Sequence, residues 1–255
     1  MIISNRDNHA FAAPALFPHL LRTMSAQEFA PGLVIQHFTP PLRLSDFKAI
    51  AFDMDSTLIS IECIDEIADA VGKKAEVAAI TEAAMRGEIT DFKDSLRRRV
   101  ALLKGVPAES LQEVYDQRLK INPGAPELIN AAKAAGLQTL LVSGGFTFFA
   151  DRVRERLGMR EAHSNTLEIE GGLLTGRVLG DIVDGEAKKQ HLLRLCERIG
   201  CDPKASIAVG DGANDLLMMG VAGLSVAYHA KPKVREQAMV AINEGGLDRV
   251  LALLA

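Results

Sequence analysis

The chain has 255 residues, 48% of them hydrophobic and 24% charged, with a formal net charge of −4. These are the proportions of an ordinary globular protein of one large domain or two smaller ones. A negative balance argues against a nucleic-acid binder, which carries a basic stripe, and no apolar run approaches the ~20 residues of a membrane span.

Residues 1–45 differ in texture from the rest. They hold Pro14, Pro18, Pro31, Pro40 and Pro41 and little periodicity, and they read as an N-terminal extension of unknown role. A signal peptide is not expected, because no basic cluster precedes a compact apolar stretch and Asp7 and His9 interrupt the start. Met24-Ser25 is expected to be the natural translation start, which N-terminal mass determination would test. The run from Gly32 to Phe38 reads as a short strand.

Ala49-Ile50-Ala51-Phe52 is an apolar run with the length of a buried strand, and it opens into Asp53-Met54-Asp55-Ser56-Thr57. Apolar residues then recur at helical spacing in four blocks: Ile64, Ile67, Ala68 and Val71; Val77, Ile80 and Ala84; Phe92, Leu96, Val100 and Leu103; Leu111, Val114 and Leu119. Gly72, Gly87 and Gly105-Val106-Pro107 separate them. Four short helices without a strand cannot be a single crossover helix, so residues 61–120 are expected to form an inserted helical unit.

An α/β rhythm follows. Pro126–Ala135 predicts a helix, Gln138–Val142 a buried strand, Ser143-Gly144-Gly145 a turn, and a helix then runs through Phe148 and Val153 to Gly158. Gly171-Gly172 between Leu167–Glu170 and Leu173–Val178 predicts a β-hairpin. Residues 186–199 predict an amphipathic helix, Ser206–Val209 and Leu224–Ala227 buried strands, and Leu247–Leu254 a last helix. If the strands are parallel, the turns at Asp53/Asp55, at Ser143–Gly145 and at Gly210–Asp215 gather at one sheet edge, where open α/β sheets bind ligands.

Gathered there, Asp53, Asp55, Asp211 and Asp215 bring four carboxylates, which repel unless a cation occupies them. Mg²⁺ takes oxygen ligands of this kind together with substrate phosphate. Ser143 adds a hydroxyl, the glycines beside it let backbone N–H groups approach an anion, and Lys188 adds a positive charge. Carboxylates, metal and anion cradle together suit phosphoryl transfer. Each part has a plainer reading: acidic turns and helix caps for the aspartates, an ordinary turn for Ser143, a solvated surface residue for Lys188. The three cysteines, Cys63, Cys196 and Cys201, form no paired motif and read as reduced thiols of a cytoplasmic protein. The six histidines fall in no metal-ligand spacing.

Asp53-Met54-Asp55-Ser56-Thr57, Val142-Ser143-Gly144-Gly145, Lys188 and Gly210-Asp211-Gly212-Ala213-Asn214-Asp215 resemble, in this order, the four motifs of the haloacid dehalogenase (HAD) superfamily. Glu62, the cap-type run Ser95-Leu96-Arg97-Arg98-Arg99-Val100 and Phe146 extend the resemblance to its phosphoserine phosphatase branch, over residues 47–255. It implies an α/β protein: a Rossmann-like HAD core with a parallel sheet (46–60 and 121–255) and a helical C1-type cap (61–120). It also implies that Asp53 is the nucleophile and Asp55 the general acid and base. Mg²⁺ would be held by Asp53, Asp211 and the backbone carbonyl of Asp55, with Asp215 supporting from behind. Ser143, Gly144 and Lys188 would hold the phosphoryl oxygens and Asn214 the water or Asp55. Glu62 would pair with the substrate ammonium, Arg99 with its carboxylate, and Met85 and Phe92 would close over its aliphatic part. The implied reaction is hydrolysis of the phosphoamino acid to L-serine, the last step of serine biosynthesis, by a monomer or homodimer without nucleic-acid or membrane partners. A phosphotransferase that passes the phosphoryl group to another alcohol such as homoserine is the alternative from the same branch. A non-catalytic phosphoamino-acid sensor is a third, weakened because Asp53 and Asp55 are both intact.

Overall fold

The computed structural model describes residues 26–86 and 88–255; the expected start at Met24, the leader before it and the break at Gly87 lie outside the described residues. Among the described residues nine strands form one sheet: β1 (Gln27–Ala30), β2 (Leu33–Ile35), β3 (Ala49–Phe52), β4 (Gln138–Phe146), β5 (Glu161–Glu170), β6 (Leu173–Leu179), β7 (Ser206–Gly210), β8 (Leu224–Tyr228) and β9 (Val240–Ile242). Their spatial order is β1-β2-β9-β8-β7-β3-β4-β5-β6. The six from β9 to β5 are parallel, and antiparallel strands flank them.

Strand alternation divides the core into two faces. Ile50, Phe52, Leu141, Ile207 and Val209 pack on one side against α5 (Ala125–Ala134) and α6 (Thr147–Leu157). Ala49, Ala51, Leu140, Val142 and Ala208 point to the other, where α7 (Gly185–Ile199), α8 (Leu216–Val221) and α9 (Pro232–Gln237) lie. The alanines on this second face let α7 pack close to the sheet, which brings its first turn to the end of β3.

Between β3 and α5 lie α1 (Cys63–Ala70), α2 (Lys74–Met85), α3 (Phe92–Ala101) and α4 (Glu109–Gln117). The two chain passages into this block pair with each other: Ser60 N–H donates to the Lys120 carbonyl at 3.0 Å and Asn122 N–H to the Leu58 carbonyl at 2.9 Å. The block is also fastened to the β5–β6 hairpin. Gly105 N–H donates to the Leu174 carbonyl, Leu174 N–H to that of Val106, and Ala108 N–H to that of Gly172.

The sequence expectations and the observed elements part in a few places. Ser143-Gly144-Gly145 is not a turn: β4 continues in extended conformation to Phe146, which pairs with Asn165. The predicted C-terminal helix is a 3-10 helix, Leu247–Leu253. The strand expected over residues 32–38 is the shorter β2, and with β1 it forms a hairpin on the edge strand β9, so residues that read as an extension complete the sheet. β9 and α9, too short to show periodicity, had no sequence signal. The hairpin turn is as Gly171-Gly172 predict, with φ of 57° and 79°.

Candidate active site

The register sets the site. Phe52 pairs with Leu141 on one side and Val209 on the other, so the next residues, Asp53, Val142-Ser143 and Gly210-Asp211, emerge together at the strands' carboxyl ends. After Asp53 the chain winds tightly, with Thr57, Leu58 and Ile59 N–H groups all donating to the Met54 carbonyl. Ser56 takes a left-handed conformation (φ 56°), costly for a non-glycine residue and concentrated at functional sites. This winding turns Asp55 back over the strand end, so that Asp53 and Asp55 line one cavity of about 390 Å³.

Lys188 is fully buried, and its Nζ lies 2.7 Å from Asp53 Oδ1 and 2.7 Å from Asp215 Oδ1. Asp215 is spent on neighbours: its Oδ2 accepts the N–H groups of Asp211 (3.2 Å) and Gly212 (3.0 Å). Asp53 Oδ1 also accepts the Met54 N–H at 2.7 Å, which leaves Oδ2 as its uncommitted oxygen. Ser143 is buried, its Oγ accepting the Gly145 N–H at 2.9 Å. Gly144 is needed for close approach: a Cβ there would lie 2.9 Å from Phe92 Cζ of α3. At Gly210 a Cβ would fall 2.4 Å from Asp215 Cγ.

The carboxyls are poised by burial and crowding. Asp53 is pushed well above the ordinary range by burial and then by Asp215, against the pull of Lys188. Asp55 is pushed up to about 8 by burial and then by Glu62, against the Cys63 thiol and N–H. Asp211 is pushed up to about 7 by burial and Asp215. Burial draws the Lys188 ammonium down, but Asp215 and Asp53 raise it further than that, so it stays charged.

Oxygens of Asp53, Asp211 and Asp215 lie within 4.8 Å of one another. These three carboxylates share the one buried Lys188 ammonium, a crowding of acid groups that raises Asp53 and Asp211, and buried Asp55 Oδ1 has no hydrogen-bond partner. An all-oxygen donor set of that kind fits a hard divalent cation. Since Asp215 already holds Lys188 and two amides, Asp53 and Asp211 are the members free to face an ion.

Of the residues singled out in the sequence, Asp53, Asp55, Glu62, Phe92, Arg99, Ser143, Gly144, Asp211 and Asn214 line the cavity, while Lys188 and Asp215 lie beneath it. Lys188 is thus no surface residue. Met85 ends α2, and its side chain lies outside the described residues. Glu62 stands at the rim, exposed on one side; its Oε1 accepts the Ser56 hydroxyl at 2.7 Å. The sequence reading missed Asp65, Thr81 and Lys231, which also line the cavity. It missed Asn165 as well, whose Nδ2 donates to the Gly144 carbonyl and whose Oδ1 accepts the Val183 N–H, both at 2.8 Å. Asp65 alone carried a usable signal, lying one helical turn beyond Glu62.

A family model described as haloacid dehalogenase-like hydrolase matches residues 47–223. A phosphoserine phosphatase of a Polaromonas species is 67% identical over 235 residues, covering 91% of this chain and all of that protein. The crystal structure of a probable phosphoserine phosphatase from Vibrio cholerae superposes with a TM-score of 0.76 at 46% identity, over 87% of this chain and 68% of that one. A substrate-bound phosphoserine phosphatase complex superposes with a TM-score of 0.76 at 39% identity, over 82% of this chain and 99% of that one. Two carboxylates at the end of β3, a buried lysine behind them and these likenesses agree: the chain belongs to the haloacid dehalogenase-like hydrolases, in their phosphoserine phosphatase branch.

Proposed function

We propose that this chain is a Mg²⁺-dependent phosphoserine phosphatase that converts O-phospho-L-serine and water to L-serine and phosphate. The observation that carries the reading is Asp53, held at one oxygen by Lys188 and open at the other, in the same cavity as Asp55, whose carboxyl is pushed up to about 8 by burial and by Glu62. The likeness to named phosphoserine phosphatases supplies the substrate.

The chemistry follows from the held geometry. Asp53 Oδ2 attacks phosphorus, the bond from phosphorus to the serine oxygen breaks, and Asp55 gives its proton to that oxygen. Asp55, now a carboxylate, takes a proton from water as the water oxygen attacks the aspartyl-phosphate, which releases phosphate and restores Asp53. Ser143, the Gly144 N–H and Lys188 hold the phosphoryl oxygens as their charge grows. Mg²⁺, when bound by Asp53, Asp211 and the Asp55 carbonyl, supplies Lewis-acid stabilisation of those oxygens. Asn214, on the cavity wall, orients the attacking water or Asp55.

Glu62 pairs with the substrate ammonium and Arg99 with its carboxylate, in the bidentate manner open to guanidinium. Residues 61–120 serve as a cap over the core (46–60 and 121–255), opening about residues 59–62 and 119–124, with Phe92 excluding water when it shuts. The product makes the reaction the terminal step of serine synthesis, and free Cys63, Cys196 and Cys201 are in keeping with a reducing cytoplasm.

Phosphate release from a panel of phosphomonoesters, with and without Mg²⁺, tests the reading. O-phospho-L-serine is expected to lead the panel by at least about tenfold in kcat/KM. Equal or better turnover of sugar phosphates would remove the substrate assignment.

A further inference from the structure

Asp65 sits in the first turn of α1, three residues after Glu62, and lines the same cavity. Its Oδ1 is buried and has no hydrogen-bond partner. An orphaned buried acceptor in a native fold calls for an explanation, and one at the wall of a ligand cavity points to a group that the closed, loaded site brings to it. Arg99, on α3 across the cavity, is the complementary case. Among the described residues it makes no ion pair, and its hydrogen bond is a long one, Nε to the Ser95 carbonyl at 3.4 Å. Asp65 is the carboxylate that bears most strongly on Arg99, ahead of Glu62 and Asp55. Arg99 is in turn the charge that most favours the ionised Asp65, whose carboxyl burial pushes up. Lys74 and Glu66 also face Asp65, but Lys74 is exposed and leans towards Asp69 at 3.9 Å.

We infer that Asp65 is a positioning residue that fixes the Arg99 guanidinium so that its fork meets the carboxylate of the substrate. A guanidinium has five N–H donors in one plane, and a substrate carboxylate uses two. Ser95 holds one edge loosely from the same helix. A second anchor on another helix is needed to set the plane, and Asp65 on α1, with its unpartnered oxygen on the wall of the same cavity, is the carboxylate placed to supply it. The ammonium of the substrate is left to Glu62, whose oxygen is already oriented by the Ser56 hydroxyl. The inference rests on the phosphoserine reading and deepens it: α1 supplies recognition of both charged groups of the amino acid, Glu62 directly and Asp65 through Arg99.

The test compares Asp65→Asn with the wild type on O-phosphoserine and on O-phosphoethanolamine, which keeps phosphate and ammonium but lacks the carboxylate. Asp65→Asn is expected to lower kcat/KM for O-phosphoserine about tenfold, mainly through KM, and to leave O-phosphoethanolamine within about twofold. In an Arg99→Lys background the same change is expected to add no further discrimination between the two compounds. Equal losses on both compounds, or none on either, would overturn the inference while leaving the phosphatase intact. Failure of the wild type to prefer O-phosphoserine over O-phosphoethanolamine would instead overturn the substrate assignment beneath it. Should the Asn variant not fold, Asp65→Ser is read by the same ratio.

Discussion

The Lys188 ammonium lies 2.7 Å from the Asp53 carboxylate in a place closed to solvent. The ion pair exists because α7 packs on the alanine face of the sheet and Asp184 caps its first turn, accepting the Ala187 N–H at 2.9 Å. Removal of Lys188 strands two buried carboxylates. Lys188→Ala is expected to cost on the order of 3–5 kcal/mol in metal-free unfolding by denaturant. The loss of its charge at the phosphoryl oxygens should lower kcat by about 10²-fold or more. A variant of wild-type kcat would remove Lys188 from the mechanism.

Asp53→Asn keeps the shape and the hydrogen-bonding capacity of the side chain but loses the nucleophile. Turnover is expected to vanish within the limit of a phosphate-release assay. Thermal unfolding of the metal-free variant should be at or above the wild-type temperature, because one of three mutually repelling carboxylates is gone.

The raised carboxyls make metal-free stability depend on pH with a definite sign. Asp211 and Asp55 stand at about 7 and about 8 against an ordinary 3.8. Between about pH 4 and 8 the folded state therefore binds protons that the unfolded state has released, and stability falls as pH rises through that window. Asp69, Glu88, Glu168 and Glu186, held low by cationic or hydrogen-bonding neighbours, act oppositely below that range, and His191, drawn from 6.5 down to about 4 by burial, opposes the trend in its acid half. Melting temperature against pH should thus decline towards pH 8 in chelator, the decline should flatten in Asp211→Asn, and Mg²⁺ should restore the wild type most at the alkaline end. A chelated profile that rises across the window would contradict the assignment.

Gly210 and Gly144 admit no side chain, for different reasons. At Gly210 the intruding methyl meets the Asp215 carboxylate, which cannot move without releasing Lys188. Gly210→Ala is expected to cost about 1–3 kcal/mol of stability together with most activity. At Gly144 the methyl meets the Phe92 ring, on the helical block. Gly144→Ala should leave the melting temperature nearly unchanged and raise KM, since closure rather than folding is obstructed. Paired unfolding and kinetic measurements separate the two.

The parallel core and the acidic strand ends at Asp53 and Asp211 were legible because their signals are local: short apolar runs ending in Asp or Gly, and a helical period that changes where the inserted block begins. What was not legible depends on partners distant in sequence. Asn165 looks like any strand residue until β5 lies beside Gly144. Lys188 looks like a surface residue until α7 is laid on the sheet. Ser143-Gly144-Gly145 has the composition of a turn, yet it stays extended because Phe92 and Asp55 press against its glycines, where a side chain would not fit. β1 is a strand by virtue of its neighbour β2, not of its own pattern.

The backbone seam that joins Gly105, Val106 and Ala108 to the Leu174 and Gly172 segment has a bearing on how this cavity opens. With the two chain passages paired on one side and this seam on the other, a turn of the helical block about residues 59–62 and 119–124 has to part the seam, so each opening costs backbone hydrogen bonds. The Lys93–Asp184 ion pair at 3.2 Å, half in solvent, is the weaker fastening and yields first.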